Sequence, residues 1–433
     1  MRITVVGGGR MGLPLACVLA KWGGVVTVAD VDRALVDVIN AGRCPYDEPG
    51  LPELIGDLFQ AGRLTATTDT AAAVRDSEAV VVIVPAHLTP DRDIDFAILR
   101  SASADVGRGL QRGTLVVYET TVSVGGTRRQ LVPVLEQSSG LKAGGDFFVG
   151  YSPERVKANL VLQRLESTPK VVGGWDAASL ARTTGLYREY LRAPIDEVGS
   201  IEAAEMTKLL GMLYRDVNIA LANELAAFCE LAGVDFDRVR AAANSDGEAS
   251  LLVPGIGVGG HCTPVYPYFL TRESRRLGMT QRLAEAAREI NDRQPAWQLH
   301  RVTEAWQPMQ GQPVHLLGLG FRPEVKVDTF SPAYALRDDL LAVGARVTIS
   351  DPFYTDLELR SLGFEPGQPE AAKVVVLNTA HAHYAAPDFA AWRSAGVEVV
   401  LDGRNAWNQT AVEQTGLVYL GIGRTPRGKR RGA

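Results

Sequence analysis

The feature that most constrains this chain is a glycine-dense turn close to its start. Residues 2–6 (Arg-Ile-Thr-Val-Val) form a short apolar run of buried-strand type, Gly7-Gly8-Gly9-Arg10-Met11-Gly12 follows at once, and residues 13–20 read as a helix built on small packing residues. Gly7, Gly9 and Gly12 therefore fall in the spacing G-x-G-x-x-G between a strand and a helix. The first glycine permits the tight turn, the second lets a ligand's pyrophosphate approach the backbone, and the third lets helix and strand pack closely. A second strand pattern, residues 25–29, ends at Asp30. A carboxylate there accepts hydrogen bonds from ribose hydroxyls and repels a 2′-phosphate. The turn, with Arg10 and Met11 inside it, thus reads as the pyrophosphate site of a dinucleotide-binding unit that takes NAD as cofactor. Arg10 is the one discordant residue, because a guanidinium near the phosphates softens the preference against a 2′-phosphate.

The rest of the chain fits such a beginning. At 433 residues it is long enough for two or three domains. Apolar runs at 79–84, 114–118, 147–150 and 170–173 alternate with helix-like stretches, the pattern of βαβ units and a parallel sheet. From residue 200 to 232 the period becomes helical, rich in Ala, Leu and Glu and without proline. More helix follows at 235–244 and 280–300, and strands return at 314–317, 346–349, 372–377 and 397–401. The expected fold is α/β, with two Rossmann-like doubly wound domains joined by a long central helix and a small helical domain. The expected boundaries are 1–198 for the NAD-binding domain, 199–305 for the central helical, dimerising domain, 306–425 for the second Rossmann-like domain, and 426–433 for a basic, disordered tail. Arg424 is read with that tail as part of a frayed terminus. A net charge of −5 gives no reason to expect nucleic acid as a partner. No apolar run approaches membrane-spanning length. The start carries no signal-peptide pattern, and Cys17, Cys44, Cys229 and Cys262 lack metal-ligand spacing. Reduced thiols, no metal and a cytoplasmic location are expected.

Cys262 lies in Pro254-Gly255-Ile256-Gly257-Val258-Gly259-Gly260-His261-Cys262-Thr263-Pro264, a loop by its glycine and proline density. A thiol where backbones come close is a candidate nucleophile, and a small buried hydrophobe is the competing reading. The segment Gly255 to Leu270 resembles the catalytic-cysteine loop of the UDP-glucose / UDP-N-acetylmannosamine / GDP-mannose dehydrogenases. Further segments are similar to blocks of the same family in chain order. They are Cys44 to Leu51, Glu119-Thr120-Thr121-Val122, Ser152-Pro153-Glu154-Arg155-Val156, Glu202 to Ala226, Gly318 to Pro332 and Asp402-Gly403-Arg404-Asn405. The wording Gly-His-Cys and Arg-Asp-Val-Asn-Ile-Ala leans towards the N-acetylhexosamine members.

The resemblance implies an NAD-dependent, four-electron oxidation of C6 of a nucleotide-diphosphate hexose to the uronate. The sugar would be UDP- or TDP-glucose or an N-acetylhexosamine, and the enzyme a homodimer. It implies catalytic roles for Cys262 (nucleophile), Lys208 (oxyanion partner), Glu154 (acid/base through water) and Thr121 (water positioning). Outside the family pattern, Lys208 reads as a solvated helix-face residue, Glu154 as the partner of Arg155 or Lys157, and Thr121 as a strand former. Pro85, Thr121 and Glu154 join Gly7, Gly9, Arg10, Met11, Gly12 and Asp30 in the implied cofactor site. Lys208, Gly257, Gly259, Gly260, Arg322 and Arg404 form the implied substrate site, with the two arginines on the pyrophosphate or in surface ion pairs.

Four positions depart from the family pattern. Met212 stands one turn after Lys208 where Asn is usual, and Tyr266 four residues after Cys262 where Asp is usual. Glu248 aligns near an arginine that reaches a neighbouring subunit's substrate, and Thr329 stands for another arginine. Removing partners from a water and lysine network slows chemistry. A relative that stops at the aldehyde, or that binds without catalysis, is accordingly an alternative. A two-electron β-hydroxyacid dehydrogenase is another, since residues 9–14 resemble that family's first turn. That family, however, needs neither the Gly-Gly-His-Cys loop nor a second α/β half.

Overall fold

The computed structural model describes residues 1–156 and 160–425; Lys157 and the tail expected at 426–433 lie outside the described residues. The chain divides into two compact units. One holds Met1–Gly211 with Tyr268–Met279, and the other holds Met212–Pro267 with Thr280 onward.

The strands of the first unit are β1 (Arg2–Val6), β2 (Val25–Ala29), β3 (Leu64–Thr67), β4 (Ala79–Val82), a short hairpin of β5 (His87–Leu88) and β6 (Ile94–Asp95), β7 (Leu115–Tyr118), β8 (Phe148–Tyr151), β9 (Lys170–Gly174) and β10 (Ile195–Ser200). All but the hairpin form one sheet in the order β10-β9-β8-β7-β4-β1-β2-β3. Its pairings are parallel except β8 with β9. The run β3-β2-β1-β4-β7-β8 is a doubly wound order whose winding reverses between β1 and β4, the place where ligands meet the carboxyl ends of strands. Every residue of β4 and β7 is buried, as expected for parallel strands covered on both faces. Helix Gly12–Lys21 buries all its residues but Lys21. Its Gly, Ala and Cys side chains are small enough to lie close on the sheet.

The second unit carries β11 (Pro313–Leu317), β12 (Arg346–Ser350), β13 (Val374–Leu377), β14 (Val399–Asp402) and β15 (Val418–Gly421). They form one parallel sheet in the order β12-β11-β13-β14-β15, reversing between β11 and β13. The two sheets, parallel except for β8 with β9, bear out the α/β, Rossmann-like class. The long helix runs from Ile201 to Ala232. Gly233, at φ +71°, stops it, and the Val234 amide turns back to the Cys229 carbonyl at 2.8 Å. Shorter helices follow at Phe236–Ala243 and Arg282–Ala305, and helix Tyr266–Arg276 belongs from Tyr268 onward to the first unit.

Three sheet strands, β3, β10 and β15, and the short hairpin of β5 and β6 escaped the sequence reading. So did helix Tyr266–Arg276, hidden behind the glycine loop. Arg424, read as part of a frayed end, is instead anchored: it donates to Asp237 at 3.0 Å and to the Tyr419 hydroxyl at 3.0 Å.

Inside the first unit Glu119 is buried at the end of β7, where it accepts from Lys170 Nζ at 2.6 Å and from the Tyr187 hydroxyl. Removing one partner of a buried pair strands the other charge. Glu119→Ala is therefore expected to destabilise the first unit by about 3–5 kcal/mol, seen as a lower denaturant midpoint for that unit's transition. An unchanged midpoint would contradict the ion pair's place in the fold.

Candidate active site

The glycine turn lies at the winding reversal of the first sheet, and each glycine has a distinct reason to be there. Gly7 has φ +105°, and a Cβ on it would come within 2.8 Å of the Ile83 carbonyl oxygen. A Cβ on Gly12 would overlap the Gly7 carbonyl oxygen. Around Gly9 there is nothing within 4 Å, so the middle glycine faces open space. Asp30, at the end of β2, accepts from the Gly8 amide at 2.6 Å and from the Asp32 amide at 3.0 Å. The acid and the turn are thus one structure, as a dinucleotide site requires. Arg10 is exposed and sits 5.4 Å from the centre of the Tyr46 ring, whose hydroxyl donates to the Gly8 carbonyl at 3.0 Å. Met11 is half-buried at the head of its helix, and exposed Pro85 follows β4. Val31, next to Asp30, is 88% exposed. An apolar side chain so placed suits the flat face of a base, and the sequence reading did not mark it. These residues fit NAD.

Thr121 and Glu154 follow β7 and β8, so both stand at the same carboxyl edge. Lys208 is brought to them by the central helix. It is only 6% exposed, donates to the Glu154 carbonyl at 2.6 Å, and lies 3.8 Å from the Glu154 carboxylate. The solvated-face reading of Lys208 is therefore wrong. Arg155 is not the partner of Glu154 either: its guanidinium donates to the Pro169 carbonyl. One turn before Lys208, buried Glu205 accepts from the amides of Gly125 and Thr127, in the segment that continues from Thr121. Burial pushes its carboxyl up to about 7, with these amides pulling the other way. Two side chains of one helix thus hold the loops that carry Thr121 and Glu154. Thr121 itself is buried.

In the second unit the Cys262 loop lies against the carboxyl edge of the second sheet. The Ile256 amide donates to the Gly403 carbonyl at 3.0 Å, and the Gly260 amide to the Thr329 carbonyl at 2.8 Å. A Cβ on Gly257 would meet Pro332 at 2.9 Å, and one on Gly259 would meet Phe321 at 2.6 Å. Gly260 adds φ +92°. These glycines serve close approach of the loop to Phe321 and Pro332. Cys262 is half-buried, and none of the four cysteines is in a disulfide. Its carbonyl accepts the Tyr266 amide at 2.9 Å, so Cys262 lies one turn ahead of Tyr266, where the next helix begins. Tyr266, the departure from the family's Asp, is buried, and Met212 is half-buried.

Arg404 follows β14 and Arg322 follows β11. Arg404 Nε donates to the Asn378 carbonyl at 2.6 Å, while its Nη2 is buried without a hydrogen bond inside the protein. Burial pulls its pKa down to about 10 against the opposing pull of Asp402. A buried guanidinium with an unspent donor suits an anion. Arg322 is half-buried, 5.8 Å from the centre of the Phe321 ring. Among the described residues no group of His, Cys, Asp and Glu could hold a metal ion, and no helix is long and apolar enough to cross a membrane.

Comparison with known proteins agrees with this arrangement. Residues 1–191, 202–293 and 315–409 match, in turn, the NAD binding, central and UDP binding domains of the UDP-glucose/GDP-mannose dehydrogenase family. The chain is 31% identical to UDP-N-acetyl-D-mannosamine dehydrogenase of Pyrococcus horikoshii, across 98% of this chain and 99% of that protein. It is 32% identical to NDP-N-acetyl-D-galactosaminuronic acid dehydrogenase of Ralstonia solanacearum, across 94% of this chain and 96% of that protein. The solved structure of the Pyrococcus horikoshii UDP-D-ManNAc dehydrogenase superposes with a TM-score of 0.89 at 29% identity, covering 98% of this chain and 99% of that one.

The contrast between Gly9 and Gly12 is testable. Gly9→Ala should leave thermal stability unchanged and weaken NAD binding about tenfold, or ~1.4 kcal/mol. Gly12→Ala should lower stability by about 1–3 kcal/mol and abolish NAD binding with it. Melting curves and NAD titration by tryptophan fluorescence would check both, and equal behaviour of the two variants would sink the assignment.

Proposed function

Because the chain belongs to the UDP-glucose/GDP-mannose dehydrogenase family, we propose that it oxidises C6 of a nucleotide-diphosphate hexose to the uronate through Cys262. It is an NAD-dependent oxidoreductase of nucleotide sugars. The observation that carries the mechanism is the burial of Lys208 beside Glu154. A buried ammonium held by a carbonyl and a carboxylate is a fixed positive charge, the group that a tetrahedral oxyanion needs.

Gly7, Gly9, Gly12 and Asp30 would hold NAD, which when bound would supply the hydride acceptor, a fresh molecule for each of the two oxidations. In the first, the C6 alcohol loses its hydride and hydroxyl proton to become an aldehyde, with Glu154 taking the proton through water. The Cys262 thiolate then bonds to C6, and Lys208 stabilises the oxygen of the resulting thiohemiacetal. Loss of the second hydride leaves a thioester. Water positioned by Thr121 and activated through Glu154 attacks C6, the C–S bond breaks, and uronate and thiol are released. Arg404 and Arg322 hold the substrate's pyrophosphate. The N-acetylhexosamine substrates in the relatives' names make such nucleotides the first to try.

The three-part organisation 1–198, 199–305 and 306–425 is part of this reading, and the three domain matches support it. So are a cytoplasmic location and a homodimer. Along the central helix Tyr214, Leu221, Phe228 and Leu231 are 60%, 42%, 65% and 77% exposed, an apolar stripe at helical spacing that a second copy would cover.

Incubation with NAD and a panel of nucleotide hexoses should yield two NADH per sugar, and Cys262→Ala should make no uronate. One NADH per sugar, with aldehyde released, would overturn the second oxidation. Uronate from the alanine variant at the wild-type rate would overturn the role of the thiol. Sedimentation at micromolar concentration should give twice the chain mass, and a monomer would refute the dimer.

A further inference from the structure

The Cys262 loop has no regular structure of its own from Pro254 to Thr263, yet a nucleophile has to be held still. A buried chain of polar side chains in the second unit grips both ends of it. At the near end, Asn223 Oδ1 accepts the Gly255 amide at 3.0 Å and Gln294 donates to the Gly255 carbonyl at 3.1 Å. Asn223 also donates to Asn291 Oδ1 at 3.0 Å. Asn291 in turn donates to the Asp216 carboxylate at 2.8 Å and to the Asp216 carbonyl at 3.0 Å. Arg288 donates to the same carboxylate oxygen at 2.7 Å, and it reaches the carbonyl of Thr263, the residue after Cys262, at 3.5 Å. Asp216, Asn223, Arg288, Asn291 and Gln294 are each no more than 4% exposed.

Two helices supply this chain. Asp216 and Asn223 lie seven residues apart on one face of Ile201–Ala232, and Arg288, Asn291 and Gln294 recur every third residue on Arg282–Ala305. Stability alone does not call for it, because apolar side chains of similar volume hold two helices together at least as well as a buried ion pair. Its links run instead to the backbone on either side of Cys262. We propose that Asp216, acting through Arg288, is a positioning residue that fixes the Cys262 loop for nucleophilic attack. This rests on the reading of Cys262 as the nucleophile.

The pair has a pH signature. Burial pushes the Asp216 carboxyl up to about 6, against the pull of Arg288 and Asn291. The charged groups facing it are Arg288 and, beyond it, Asp292, which takes the other arm of Arg288 at 2.6 Å. Above about pH 6 the carboxylate is ionised and holds Arg288. As pH falls through that value the carboxyl takes a proton, the charge pairing is lost, and the Thr263 end of the loop is released.

The test uses the full chain, wild type and the variants Asp216→Asn and Arg288→Lys. The rate of Cys262 alkylation by iodoacetamide is followed against pH in the resting protein, with circular dichroism and NAD affinity as controls of folding. The wild-type profile should break near pH 6. Asp216→Asn should lose that break and, with a substrate the wild type oxidises, lower kcat about 100-fold while leaving KM for the sugar little changed. Arg288→Lys should fall between the two. A wild-type profile without the break overturns the proposal whether or not the variants fold. So does a folded Asp216→Asn protein with wild-type alkylation and kcat. Alkylation needs no sugar, so failure of every nucleotide hexose would count against the proposed reaction and leave this result standing.

Discussion

Polar side chains buried along one helix are the constraint on which the rest of this structure depends. Glu205, Lys208, Asp216 and Asn223 all lie on Ile201–Ala232, and none is more than 6% exposed. A buried polar group has to be partnered, or it costs more than the helix gains by burying it. Each of the four is partnered, and three of them use loop backbone: Glu205 takes the Gly125 and Thr127 amides, Lys208 the Glu154 carbonyl, and Asn223 the Gly255 amide. Asp216 reaches a loop carbonyl at one remove, through Arg288. The helix therefore does more than pack. Its polar positions specify where loops without regular structure must lie, and those loops carry the candidate chemical groups.

This also explains what was legible in the sequence and what was not. The turn at Gly7 to Gly12 could be read because its geometry is local: each glycine answers to a neighbour within one strand–turn–helix unit. Strands β4, β7, β11 and β13 could be read because buried parallel strands are unbroken apolar runs. Strand β3, Leu-Thr-Ala-Thr, is half threonine, and β10 lies at a sheet edge with no fully buried residue, so neither shows such a run. Asp216 and Asn223 sat in plain view within a long amphipathic segment. Their partners Arg288 and Asn291 are 72 and 68 residues further on, and no periodicity links residues that distant. A role for Lys208 is suggested only by the family resemblance; its burial beside Glu154 is a tertiary feature that composition does not carry.

Met212 and Tyr266 take on a different weight beside this network. Both replace polar residues of the family pattern with larger, less polar ones, and Tyr266 is buried directly behind the Cys262 carbonyl. The loop does not lose its support with them, because its ends are held from Asn223, Gln294 and Arg288. Support of the Cys262 loop thus does not hang on the two altered side chains.

The two Rossmann-like sheets put the same device to different uses. In each, an aspartate ends the strand beside the first one: Asp30 after β2 and Asp351 after β12. Asp30 is half-buried beside exposed Val31 and Gly9, so a ribose can replace its hydrogen bond to the Gly8 amide. Asp351 is fully enclosed. It accepts from the amides of Leu319, Gly320 and Phe353 and from buried His381, and these bonds hold its carboxyl below the usual carboxylate range despite burial. A ribose would have to break most of them. The second sheet's acid is committed to shaping the loop that leads to Arg322, and the polar group left without a partner at that edge is the buried Nη2 of Arg404. A fold used twice in one chain therefore gives one edge suited to a ribose and a neutral turn, and another suited to an anion.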